Sequence, residues 1–123
     1  MYKATIEEEN KEISKRYKDL LKGTYQTLSK EDKRMIRAAF ELAVEAHSEQ
    51  RRKTGEPYIF HPIAVAKIVA YEIGLGAISI ASALLHDVVE DTYYTIEDIE
   101  RLFGQKIARI VSGLTKISRL NKS

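Results

Sequence analysis

From Ala77 to Glu90 the chain carries Ile78, Ile80, Ala81, Ala83, Leu84, Leu85, Val88 and Val89 with little that is polar between them. At helical pitch such a segment is apolar on nearly every side, and a helix of that kind has to be surrounded by other elements. The spacing therefore predicts one helix over about 77–90 at the centre of the fold. Its end changes character. Leu85-His86-Asp87-Val88-Val89-Glu90-Asp91-Thr92 places four ionisable groups on the most buried helix. Groups of this kind are costly to bury unless they are paired or bind a metal.

The segments on either side repeat the helical period. Ile6, Ile13, Tyr17, Leu20 and Leu21 form a stripe that predicts a first helix near 3–22, ended by Gly23 as a C-terminal cap. Ser29 and Asp32 have the spacing of a capping box, and Met35, Ile36, Ala39, Phe40, Ala43 and Val44 continue it as a helix near 30–48. The stretch from Glu49 to Phe60 has no apolar period and contains Arg51-Arg52-Lys53, Gly55 and Pro57, which predicts an exposed loop. Pro62 suits the first position of a third helix, with His61 at its entry, running through Ile63, Val65, Ala66, Ile68, Val69 and Ile73 to the break at Gly74-Leu75-Gly76. After the central helix, Thr95 caps a short helix from Ile96 to Phe103 that Gly104 ends. A last apolar period follows through Ile107, Ile110, Val111, Leu114 and Ile117. The sum is an all-α, compact multi-helix domain of about six helices, without repeats or linkers.

The ionisable cluster is the place where chemistry is expected. Adjacent helical residues point about 100° apart, so His86 and Asp87 share a metal only if it lies over the edge between them, with a further ligand from elsewhere. Glu90 and Asp91 lie one turn on, within reach for proton transfer. A lone histidine in an apolar helix is more often a hydrogen-bonded core residue than a ligand. The added carboxylates and a second histidine, His61, at a helix entry shift that balance. Imidazole and carboxylate donors without thiolate suit Mn, Fe or Zn in an open catalytic site. The basic loop has a bland reading as a solvated charged segment and a functional one as an anion cradle, in which arginine pairs with phosphate or stacks on a base. His47, at the end of the second helix, receives no ligand role.

Composition removes several classes. The 20 Lys and Arg against 18 Asp and Glu leave a net charge of +2, and the basic residues are scattered among acids, which argues against direct nucleic-acid binding by this domain. There is no cysteine, hence no disulfide and no thiolate chemistry. No signal peptide is evident, and no apolar run approaches the roughly 20 residues of a membrane helix. These features lead to the expectation of a cytoplasmic protein without a membrane role.

Arg51-Arg52-Lys53-Thr54-Gly55-Glu56-Pro57-Tyr58 with His61-Pro62, followed by His86-Asp87-Val88-Val89-Glu90-Asp91-Thr92, resembles the two hydrolase motifs of the RelA/SpoT-type alarmone synthetase/hydrolases. These belong to the HD-domain phosphohydrolase superfamily, and the resemblance runs on through Gly113-Leu114-Thr115-Lys116. It implies an HD-domain fold and the stringent-response reaction, hydrolysis of the 3′-pyrophosphate of ppGpp or pppGpp to GDP or GTP and pyrophosphate, usually with Mn2+. It also implies His61, His86 and Asp87 as metal ligands, Glu90 and Asp91 as the pair that activates water, and Arg52 and Lys53 as nucleotide contacts. The competing readings are an HD phosphohydrolase acting on another nucleotide and a non-catalytic module that binds the alarmone or a partner.

One departure limits what the resemblance implies. The family's remaining ligand is an Asp in a later motif resembling Asp-Arg-Leu-His-Asn, which does not occur before Ser123. The synthetase domain that follows in full-length relatives is also absent from these residues. The expectation is a single hydrolase-type domain over 1–123, incomplete at its C-terminus, that binds metal and turns over substrate weakly. Extending the chain through the Asp-bearing motif is expected to tighten Mn2+ binding by at least about 10–100-fold, as measured by titration. Arg52→Ala is expected to weaken nucleotide affinity while leaving the thermal midpoint almost unchanged; a large fall in the midpoint would instead make Arg52 a structural ion-pair residue.

Overall fold

The computed structural model describes residues 2–24, 27–73 and 76–122, those from 118 to 122 by their backbone alone. Among them the elements are α1 (Ile6–Lys22), α2 (Lys30–Ala46), α3 (Phe60–Ile68), α4 (Ala77–Leu85), α5 (Val88–Asp91), α6 (Ile96–Phe103) and α7 (Gln105–Lys122). A π-helical turn, Val69–Ile73, prolongs α3. The fold is all-helical, and the extended pairing among the described residues is an isolated antiparallel bridge between Arg51 and Pro57.

Capping boxes start α1, α2 and α6: Thr5 with Glu8, Ser29 with Asp32, and Thr95 with Asp98, each side chain bonding the other residue's backbone N–H. Each box satisfies two amides that the helix itself leaves unpaired, and so sets the helix start. The second and third starts agree with the sequence reading. The first is corrected from about residue 3 to Ile6, because Thr5 holds the cap. Ile6, on the first turn, is 72% exposed, while Glu9 takes an inward position at 5%. Gly23 does end α1, but with an ordinary φ of −94°. Its constraint is steric: a Cβ there would fall within the Tyr71 ring, whose hydroxyl donates to the Asp19 carbonyl.

Three further boundaries differ from expectation. The second helix ends at Ala46 rather than near 48, with His47 as its cap. The third begins at Phe60, so Pro62 is its third residue; the missing N–H still falls in the first turn, where no intrahelical acceptor exists. Of the Gly74-Leu75-Gly76 break, Gly74 and Leu75 lie outside the described residues, and Gly76 is the N-cap of α4. The expected single helix over 77–90 is two, α4 and α5, interrupted at His86-Asp87.

α4 is the central element. Ala77, Ile80, Ala81, Ser82, Ala83, Leu84 and Leu85 are all buried, and the helix packs against α2, α3 and α7. Ser82 satisfies its hydroxyl by donating to the Ile78 carbonyl. Ile36, Ala39, Phe40 and Ala43 from α2, Ile63 and Ala66 from α3, and Ile107, Ala108 and Val111 from α7 close around it. The last apolar period is only partly inward, since Leu114 and Ile117 are 39% and 57% exposed. No helix among the described residues is long and apolar enough to cross a membrane. Leu84 is fully buried at this centre. Leu84→Ala is therefore expected to cost about 2–5 kcal/mol of stability, read from urea unfolding monitored by circular dichroism.

Candidate metal centre

The interruption between α4 and α5 is where the ionisable residues converge. His86 directs Nδ1 at the Ala83 carbonyl, 2.6 Å away. A continuous helix would reserve that carbonyl for the amide of Asp87. A carbonyl only accepts, so Nδ1 carries a proton; Nε2 then faces Asp87, donating to its carboxylate when the ring is protonated and offering its lone pair to a cation when the ring is neutral. Asp87 has φ −90° and ψ −9°, off the helical mean, before the chain resumes at Val88. Its carboxylate oxygen Oδ2 lies 3.2 Å from His86 Nε2 and 3.6 Å from His61 Nε2.

His61 arrives from the first turn of α3, in which the His61 amide donates to the Tyr58 carbonyl. One ligand atom from each of His61, His86 and Asp87 lies within 4.8 Å of the other two. Residues 25 positions apart thus face a common point. Two atoms each about 2.1 Å from one ion are at most about 4.2 Å apart, so a bound ion requires at most a small inward movement. The donor set is two imidazoles and a carboxylate, one imidazole having its tautomer set by a backbone carbonyl, which suits a divalent cation.

The electrostatics are consistent with that geometry. Burial pulls the His86 pKa down, but the hydrogen bond and charge of Asp87, with the Ala83 carbonyl, leave it raised overall. Burial pushes Asp87 up, and His86, Tyr58 and His61 outweigh it, holding the carboxyl below its usual range. His61 is held low by burial against the pull of Asp87, with the charge of Arg52 adding to the lowering. It is therefore a neutral donor near pH 7.

Tyr58 was quoted in the sequence motif without a role. Its hydroxyl donates to Asp87 Oδ2 at 2.8 Å and also lies 3.3 Å from Asp91 Oδ2. Burial, then the hydrogen bond and charge of Asp87, raise its pKa, so it remains a donor. The available signal was its place three residues before His61, one turn away once the chain coils. His47 is buried and outside the ligand group; its Nδ1 meets Gln50 Oε1 at 2.8 Å, and its ring lies 4.7 Å from that of Tyr58. Gln50 in turn donates from Nε2 to the Asp91 carbonyl at 2.7 Å. Gln50 thereby ties the end of α2 to the end of α5, a link that sequence reasoning missed.

Glu90 is half-buried, and its charge contributes to raising the His86 pKa. Asp91 is exposed and shares the Tyr58 hydroxyl with Asp87. Arg52 and Lys53 are exposed on a turn closed by the Arg52 N–H to Glu56 carbonyl bond at 2.9 Å and the Gly55 N–H to Arg52 carbonyl bond at 2.8 Å. Gly55 has φ +97°, which favours glycine. The expected exposed loop is thus exposed over 51–54 and folds as a small hairpin, while Pro57, Ile59 and Phe60 at its end are buried. Arg51, the first of the three bases, is not available to an anion: its guanidinium is engaged with Glu9. Asp91 also lines a concavity with Glu45, Glu49, Tyr94 and Asp98.

Comparison with known proteins supplies the family. The family described as "HD domain" matches residues 39–123. The guanosine-3′,5′-bis(diphosphate) 3′-pyrophosphohydrolase of Aquifex aeolicus is 51% identical over 85 residues, covering 69% of this chain and 12% of that protein. The bifunctional (p)ppGpp synthase/hydrolase SpoT of Escherichia coli is 47% identical over 96 residues, covering 77% of this chain and 14% of that protein. The chain thus spans about an eighth of the length of these relatives. A solved structure described as a metazoan ortholog of SpoT that hydrolyzes ppGpp superposes with a TM-score of 0.65 at 33% identity, covering 73% of this chain and 50% of that one. The chain belongs to the HD domain family, and the part of that family it matches is the hydrolase region of SpoT/RelA-type proteins.

Proposed function

We propose that this domain hydrolyses the 3′-pyrophosphate of (p)ppGpp, releasing pyrophosphate and GDP or GTP, with His61, His86 and Asp87 holding a divalent ion, Mn2+ in the first instance. The observation that carries this reading is the convergence of those three donors within 4.8 Å, with Arg52 near enough for its charge to act on His61. The names of the relatives point the same way. A divalent ion held there supplies positive charge against the phosphate oxygens and acidifies water.

The chain's own residues supply the rest. His86 and Asp87 present Nε2 and Oδ2 to the same point, and His61 closes it from α3. Tyr58 holds Asp87 and Asp91 in a common orientation through one hydroxyl. Glu90 and Asp91, a turn beyond His86 and Asp87, take the proton from the attacking water. Arg52 and Lys53 meet the phosphates, and the Arg52 plane packs on guanine.

A panel of nucleotides with Mn2+ tests the reaction: ppGpp and pppGpp are expected to be hydrolysed in preference to GDP, GTP and their adenine counterparts. Preference for another nucleotide, or binding of ppGpp without release of pyrophosphate in a chain extended through the Asp-bearing motif, would overturn it. Asp87→Asn is expected to lower Mn2+ affinity by at least about 100-fold, read by calorimetric titration. Tyr58→Phe keeps the ring against His47 and removes only the hydroxyl. It is expected to lower Mn2+ affinity by about tenfold with little movement of the melting temperature.

A further inference from the structure

α1 lies outside the residues matched by the family, which begin at residue 39, yet it carries a buried acid facing the basic turn. Glu9 is 5% exposed, and both its carboxylate oxygens are occupied by Arg51, Oε2 by Nη1 at 2.5 Å and Oε1 by Nη2 at 3.0 Å. The same Nη1 donates to the Gly55 carbonyl at 3.2 Å, so one guanidinium bridges α1 and the tip of the turn. The Tyr2 hydroxyl completes the arrangement by donating to Glu9 Oε2 at 2.7 Å, and its ring is the nearest side chain to a Cβ placed on Gly55.

Seven residues along α1, two helical turns on the same face, Arg16 lies with its guanidinium 3.9 Å from the centroid of the Phe60 ring. Glu12 steadies it through a bond to Nε at 3.1 Å. Phe60 is buried and immediately precedes His61. α1 therefore grips the segment 51–60 at both ends, by a bidentate ion pair at its start and a cation–π contact at its finish. Between these grips lie Arg52 and Lys53.

We propose that α1 is the positioning element of the ligand-binding turn, with Glu9 and Arg16 setting where Arg52 and Lys53 stand relative to His61. This rests on the reading of Arg52 and Lys53 as phosphate contacts. Neither Glu9 nor Arg16 touches the ligand; both act through the backbone of the turn. A short exposed turn held only by its own local hydrogen bonds would sample many orientations, and ordering it beforehand removes a cost that binding otherwise bears.

The test compares Glu9→Gln, which keeps shape and an acceptor for Tyr2, with Arg16→Leu at the half-exposed other end and with Arg52→Ala. Amide hydrogen exchange at Arg52 and Gly55, affinity for ppGpp, affinity for Mn2+ and melting temperature are read for each. The expected result for Glu9→Gln is about tenfold faster exchange at those two amides and about tenfold weaker ppGpp binding, the size of effect of one charge-assisted bond, with Mn2+ affinity within about twofold. Arg16→Leu is expected to act in the same direction. If both variants leave turn exchange and ppGpp affinity as in the parent while Arg52→Ala weakens binding, the positioning role is overturned. It is equally overturned if ppGpp affinity, Mn2+ affinity and melting temperature fall together, since that is the signature of general destabilisation. If Arg52→Ala leaves ppGpp binding unchanged, the assignment of the phosphate contacts fails instead, and exchange at Arg52 and Gly55 alone decides whether α1 orders the turn. Should Glu9→Gln fail to fold, Arg16→Leu carries the same comparison.

Discussion

The carboxylate of Asp87 is the constraint around which the domain is arranged. It is 8% exposed at the end of an apolar helix, where a lone negative charge would be expensive. Three side chains meet it: His86 just beyond the end of α4, His61 from the start of α3, and Tyr58, which donates its hydroxyl proton, from the segment before α3. Each contact limits how the supporting element can sit. α3 has to pack across α4 with its first turn at the α4–α5 break, and the chain before it has to coil so that Tyr58 and His61 share one side. The cluster that offers metal ligands is thus also a structural tie between the central helix and its neighbours.

The break between α4 and α5 follows from the same place. His86 uses the Ala83 carbonyl for its side chain. This orients the ring and fixes its tautomer, at the expense of regular helix. The apolar character of α4 keeps that arrangement rigid, because Ile80, Leu84 and Leu85 are enclosed on all sides and leave the helix end no freedom to shift. A site built on such a helix holds its geometry better than one built on loops.

Glu45, Glu49 and Asp98 line a concavity together with Asp91, while Arg52 and Lys53 stand exposed on the turn that precedes His61, and the net charge of +2 says nothing of either cluster. Arg51 belongs to neither group. The antiparallel bridge with Pro57 sets its backbone, and Glu9 from α1 pairs with its guanidinium.

The sequence by itself determined the helical class, the buried central segment, the capped starts of α2 and α6, and the residues able to do chemistry. These rest on local rules, since an apolar period, a Ser-x-x-Asp box or a His-Asp pair needs only neighbours within a turn or two to be read. Tertiary structure decided the rest. Pairing Arg51 with Glu9, bridging Asp87 and Asp91 through Tyr58, and linking α2 to α5 through Gln50 join residues 42, 29, 33 and 41 positions apart. No periodicity encodes such distances. The break at His86 was also hidden, because the apolar pattern continues through Val88 and Val89 as though the helix did, whereas in the fold the His86 ring turns back onto the Ala83 carbonyl at the interruption. Leu114 and Ile117 show the converse: they keep the helical period of α7, yet the core has already been filled by Ile107, Ala108 and Val111, so their shared face remains at the surface.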